Sequence, residues 1–139
     1  MNYKILEGAQ SMRLDDIVRL LRTTYWAGQR SVEKIEASLR HSACYGIWLE
    51  DERKLVGFAR VITDYATTYY LCDVIIDEAY RGKGLGKALL AHITAKYAGL
   101  RGLLLTRDAH GLYRQFGFET ADGRAMVKGS GRVERAEIL

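Results

Sequence analysis

The sequence predicts an α+β fold on a mixed, mostly antiparallel central sheet flanked by helices, and three observations point there. Two runs rich in β-formers, YGIWLE and KLVGFARVIT, are joined by a polar turn around Asp51–Arg53 and read as a hairpin. YYLCDVII, residues 69–76, is nearly continuous in aromatic and β-branched residues, which is the pattern of a central strand. Beyond it Leu85, Leu89, Ile93 and Tyr97 recur at every fourth position, so the stretch RGKGLGKALLAHI is a glycine loop opening into a helix.

The remaining elements follow in chain order. Tyr3–Leu6 is expected as a short first strand. A helix over Leu14–Thr23 places Leu14, Ile17, Val18 and Leu21 on one stripe, and a second helix over Val32–Arg40 has Ser31 as its N-cap. After the glycine-loop helix, GLLLT at 102–106 reads as a short buried strand. A helix over Ala109–Gln115 then ends before FGF, and Ala125–Lys128 is expected as the last strand. The Gly-rich, charged tail from Gly129 is expected to fray or to pair outside the core.

A chain of 139 residues with no Pro and no evident linker reads as a single domain, 1–139. Apolar residues make up 48% and charged residues 27%, enough for a core and against disorder. The N-terminus lacks the succession of a signal peptide and no apolar run approaches ~18 residues, so a cytoplasmic protein with no membrane partner is expected. Cys44 and Cys72 have no metal-ligand spacing and form no C-x-x-C pair; His41, His92 and His110 make no ligand motif. No metal is expected. The net charge is +4, with the excess in the half that holds the glycine loop: 10 Lys and Arg against 9 Asp and Glu in residues 1–70, and 11 against 8 afterwards. That bias suits a small polyanion and is too weak to argue for nucleic acid.

The glycine loop is the chemical centre of the sequence. A helix N-terminus leaves its first N–H groups unpaired, and glycines let the backbone bring those donors up to an anion such as a pyrophosphate. Arg81, Lys83 and Lys87 add charge at the rim. The competing explanation is a Gly-rich turn needed only for close packing. Two familiar phosphate loops do not fit. Gly82 to Gly86 is one residue short of a Walker loop, and Ala88 stands in place of its hydroxyl. Lys87 occupies the third glycine position of the dinucleotide fingerprint.

VIIDEAYRGKGLGKALL resembles the acyl-CoA-binding motif of the GCN5-related N-acetyltransferases (GNAT), a strand followed by [RQ]-x-x-G-x-[GA], with Arg81, Gly84 and Gly86 on its marked positions. TRDAHGLYRQFGF is similar to that family's second motif, with Ala109, Leu112, Tyr113, Gly117 and Phe118 in place and Thr106 where Asn is usual. The resemblance implies a sheet splayed between its two central strands, at 69–76 and 102–106, with acetyl-CoA in the gap. The pyrophosphate would lie on the backbone of Arg81, Gly82, Lys83, Gly84, Leu85, Gly86 and Lys87. The pantetheine arm would pair with main-chain groups of Val74, Ile75 and Ile76, and Thr106, His110 and Tyr113 would complete the cofactor site. It further implies direct attack of an amine on the thioester, with Tyr113 protonating or hydrogen-bonding the departing thiolate.

The attacking amine must be neutral, and Asp73 and Asp64 are the candidate bases. Asp73 interrupts an apolar strand, so it must face a polar cleft or find a partner, for which Arg60 on the neighbouring strand is available. Asp64 sits in TDYATTYY, where a turn role is the alternative. In the resemblance, the region between the first two helices walls the acceptor site. Tyr25, Trp26 and Arg30 there, with Arg60 and Asp64, would bind an amine whose far end is anionic, or Trp26 packs beneath the helices. The expected activity is transfer of acetyl from acetyl-CoA to a primary amine of a small molecule or peptide. A non-catalytic acyl-CoA sensor on the same fold is the alternative, and a homodimer is an assembly consistent with either.

Overall fold

A computed structural model describes residues 1–129. Its strands are Tyr3–Glu7 (β1), Ala43–Leu49 (β2), Lys54–Thr63 (β3), Thr68–Ile76 (β4) and Arg101–Leu103 (β5). They lie in the sheet in chain order, with the first three joints antiparallel and β4–β5 parallel. The helices are Leu14–Leu21 (α1), Val32–Arg40 (α2), Leu85–Lys96 (α3) and His110–Arg114 (α4). The fold is thus the mixed α+β sheet that the sequence predicts.

Each face of the sheet carries its own core. Tyr45, Ile47 and Leu49 of β2 alternate with Cys44, so one set meets α3 and the other meets α1 and α2, as the two-residue period of a strand requires. Leu85, Leu89, Ile93 and Tyr97 of the α3 stripe are all at most 3% exposed. On the opposite face Ile17, Leu20 and Leu21 of α1 and Ile35 of α2 pack on Phe58 and Ile75. Burying one such side chain contributes roughly 1.5–3 kcal/mol, so the two stripes fix which face each helix covers. Ser31 caps α2 as expected, its hydroxyl accepting from the Lys34 N–H at 3.1 Å. Cys44 and Cys72 are buried free thiols whose ionisation burial pushes up to about 11 and about 12.

Three expectations need correction. Residues Ala125–Lys128 form no strand: Met126 is 96% exposed and Val127 48%, so the run buries neither face and β-propensity alone does not pair it. The strand expected at 102–106 is Arg101–Leu103, with Leu103 half exposed, because β5 is the outermost strand among the described residues. The first helix stops at Leu21, where the Thr23 and Thr24 hydroxyls donate to the Leu20 and Leu21 carbonyls and close the turn. The tail beyond Gly129 lies outside the described residues. No helix among them is long and apolar enough to cross a membrane, and no cluster of metal-ligating side chains occurs.

Candidate active site

The glycine loop sits where β4 ends. Asp77 anchors that end: its N–H donates to the Val56 carbonyl, and its carboxylate accepts from the Ala79 N–H and pairs with Arg19 at 3.1 Å and Lys54 at 3.5 Å. Gly82 and Gly84 take φ of 77° and 82°, a region that disfavours any residue with a Cβ. Gly84 is the N-cap of α3, and the first helical bond runs from the Ala88 N–H to its carbonyl. The N–H groups of Leu85, Gly86 and Lys87 therefore have no partner within the helix. They face a groove of about 340 Å³ lined by Ile76, Arg81, Gly82 and Leu112 among others. Arg81 turns back, its Nε donating to the Ile76 carbonyl at 3.1 Å, and so ties the loop to β4.

A Cβ built on Gly82 or Gly84 would meet nothing within 4 Å, so close packing does not explain either glycine. Backbone conformation and an open approach do. Gly84→Ala is expected to cost about 1 kcal/mol in thermal or urea unfolding from strain alone, and to weaken coenzyme A binding by more than that in a calorimetric titration.

Pairing between β4 and β5 stops at Tyr70–Leu103, while β4 runs on to Ile76. Along Val74–Ile76, the main-chain groups of Val74 and Ile76 thus face a widening seam, while Ile75 bonds toward β3. At its mouth β4 carries an extra residue: Arg60 pairs with Cys72 and Phe58 with Ile75, so two steps on β3 oppose three on β4. The inserted residue is Asp73, with φ of 50°, a left-handed conformation that Asp tolerates better than most. The bulge shifts the alternation, sending Leu71 and Val74 to the α3 face and the Asp73 carboxylate to the α1–α2 face.

There the carboxylate, 2% exposed, is held by three donors. Oδ1 accepts from the Trp26 indole N–H at 2.9 Å, and Oδ2 accepts from Arg30 Nη1 and Arg60 Nε, both at 2.8 Å. Burial alone would raise its pKa; the Arg30 hydrogen bond and the charges of Arg60 and Arg30 reverse that and hold it below the ordinary carboxylate value. An oxygen already carrying two guanidinium donors is a poor proton acceptor, which argues against Asp73 as the base. The partner expected from the sequence, Arg60, is present, and Trp26 and Arg30 join it.

The other expected residues fall into three places. Asp64 is at the β3–β4 hairpin tip, outside this cluster; its carboxylate accepts from Thr67 Oγ1 and from the N–H groups of Ala66, Thr67 and Thr68, which lower its pKa. It closes its own turn. Thr106, His110 and Tyr113 line a hollow of about 250 Å³ beside β5, where Thr106 Oγ1 accepts from the Ala109 N–H ahead of α4. Tyr25 stands edge-on to Trp26 and carries the Arg107 guanidinium over its ring at 4.5 Å, linking the α1–α2 loop to the segment before α4. Arg107 was not legible as a site residue, nor were Arg22 and Ser42. Arg22 Nη1 donates to the Gly28 and Arg30 carbonyls and shapes the loop that carries Arg30, and Ser42 Oγ accepts from Arg60.

Residues 43–120 match the acetyltransferase (GNAT) domain family. A crystal structure described as a GNAT-family acetyltransferase, from Xanthomonas campestris pv. campestris, superposes with a TM-score of 0.84 at 31% identity, over 94% of each chain. The uncharacterized N-acetyltransferase ycf52-like of Prochlorococcus marinus is 28% identical over 75% of this chain and 60% of its own length. The N-acetylglutamate synthase of Neisseria gonorrhoeae, solved with coenzyme A and N-acetyl-glutamate, has the same fold, with a TM-score of 0.71 at 23% identity over 88% of this chain and 29% of that one. The chain spans 46–63% of the length of three curated relatives that it matches.

Proposed function

We propose that this chain, which belongs to the GNAT acetyltransferase family, transfers acetyl from acetyl-CoA to a primary amine of a small molecule or peptide by direct attack. The observation that carries this reading is the seam: β4 continues past its last pair with β5 and leaves the edge of Val74–Ile76 beside a glycine loop with unpaired helix N–H groups. That edge suits a pantetheine arm bound as an extra strand, and the loop suits a pyrophosphate. Coenzyme A bound to the gonococcal synthase fold supports the same choice of ligand.

In this reading the amine nitrogen forms a bond to the acetyl carbon and the carbon–sulfur bond breaks. A main-chain N–H near Val74 or Ile75 takes the developing oxyanion, the amine proton leaves to solvent, and Tyr113 hydrogen-bonds the departing thiolate. Asp73 acts as a positioning residue, fixing Trp26, Arg30 and Arg60 around the acceptor mouth. With both candidate carboxylates held low, the acceptor amine must reach the site neutral, which favours amines of low pKa over lysine-like amines at ~10.4.

Acetyl-CoA at ~100 times its dissociation constant is expected to stabilise the protein by about 2.7 kcal/mol, read as a rise in Tm, with NAD and ATP giving little. Free CoA release across a panel of amines, amino acids and peptides then tests transfer. No shift with acetyl-CoA would overturn the cofactor assignment, and binding without release for any acceptor would favour a sensor.

A further inference from the structure

The charges around Asp73 do not cancel. Two guanidinium groups share one carboxylate oxygen, with side chains 20% and 13% exposed for Arg30 and Arg60, so the cluster carries a net charge of +1 in a largely desolvated place. The planar guanidinium forks retain donors beyond those spent on Asp73 and Ser42. An uncompensated charge of this kind is relieved by a bound anion. Asp73 adjoins Val74, so an anion held by these arginines lies within a few atoms of the amine that would attack a thioester at the seam.

Two residues further along each strand, on the same face, lies an apolar row. Ile62 pairs with Tyr70 and Tyr70 with Leu103; Ile62 is 45% exposed, Leu103 50%, and Tyr70 partly exposed. At the strand rise the row begins about 7 Å from the Arg60–Cys72 pair. The core under α1 and α2 includes Phe58 and Cys44, and among the described residues Ile62 and Leu103 lie outside it.

Building on the acetyl-transfer reading, we infer that the acceptor is an α-amino acid with an apolar side chain: its carboxylate held by Arg30 and Arg60, its side chain on Ile62, Tyr70 and Leu103, its amine toward Val74. The same guanidinium groups offset the carboxylate that keeps an amino acid's amine protonated, which answers the want of a free base. The charge balance selects against polyamines and lysine side chains, since a second cation meets a site that is already positive.

The test is a matched set of probes titrated calorimetrically into the coenzyme A-loaded protein: phenylalanine, phenylalaninamide without the carboxylate, and glycine without the ring. Phenylalanine is expected to bind about tenfold or more tighter than either, over the amide by the worth of a charge-assisted hydrogen bond and over glycine by burial of its ring. Arg30→Gln is expected to remove most of the preference over the amide, and Arg30→Lys, which keeps the charge beside Asp73, to reduce it. Equal binding of phenylalanine and its amide overturns the anion site, and equal binding of phenylalanine and glycine overturns the apolar row. If coenzyme A itself fails to bind, the acetyl-transfer reading fails, and the same titrations on the unloaded protein still decide whether the arginines recognise a carboxylate.

Discussion

Tyr113→Phe is expected to lower kcat about 10²-fold with little change in the KM for acetyl-CoA. Tyr113 is 1% exposed in α4, with its ring edge-on to Phe118 at 5.9 Å, and the Phe118 N–H donates to its carbonyl. Phenylalanine preserves that packing, and urea unfolding of the variant alongside its kinetics separates chemistry from fold. A phenol is a weaker acid than a thiol, which makes complete proton transfer uphill; in the proposed mechanism the benefit would come from a hydrogen bond that strengthens as sulfur gains charge. Such a bond exists in the transition state more than in the ground state, so kcat falls and the cofactor KM holds. Steady-state kinetics under conditions where chemistry limits turnover check this. A raised KM with unchanged kcat would place Tyr113 in the binding wall.

Asp73→Asn is expected to destabilise the protein by about 3 kcal/mol at pH 7, measured by urea unfolding, because it leaves two partly buried guanidinium groups facing each other without their shared anion. Asn tolerates the left-handed conformation of the bulge, so the variant isolates the charge. The pH dependence has a definite sign. The folded-state pKa of Asp73 is depressed, so its stabilisation is complete above the unfolded value of ~3.9 and disappears as pH falls through the folded one. The wild type should lose this increment in acid, and the stability gap to Asp73→Asn should narrow there. A general base would behave otherwise, with kcat lost and stability kept.

What the sequence made legible was whatever local pattern encodes. The α3 stripe was readable because Leu85, Leu89, Ile93 and Tyr97 keep one helical face, and Ser31 because a cap is a local hydrogen bond. Asp73 announced itself as a charge in an apolar strand, and the loop through glycines spaced ahead of a helical pattern, which take a positive φ at least strain. Arg22 was hidden because it acts through carbonyls, which every residue has. The Tyr25–Arg107 contact joins positions far apart in the chain, and Arg107 fills an unmarked position of its motif, so the pairing had no local signal. Ala125–Lys128 misled for the opposite reason: its β-propensity is local, whereas a strand needs a neighbour.

The short β4–β5 joint has a consequence for how the molecule comes apart. β2, β3 and β4 form a meander of adjacent hairpins, whereas β5 reaches the sheet across the whole length of α3 and is fastened by only three register pairs. Local opening follows the weakest cooperative unit, so amide hydrogen exchange should be fastest among these pairs and slowest in β3. A ligand bridging the loop at β4's end and the α4 hollow would stitch the two units together. Its signature would be slowed exchange through the β4–β5 joint and α4 together, beyond the few amides that it touches directly.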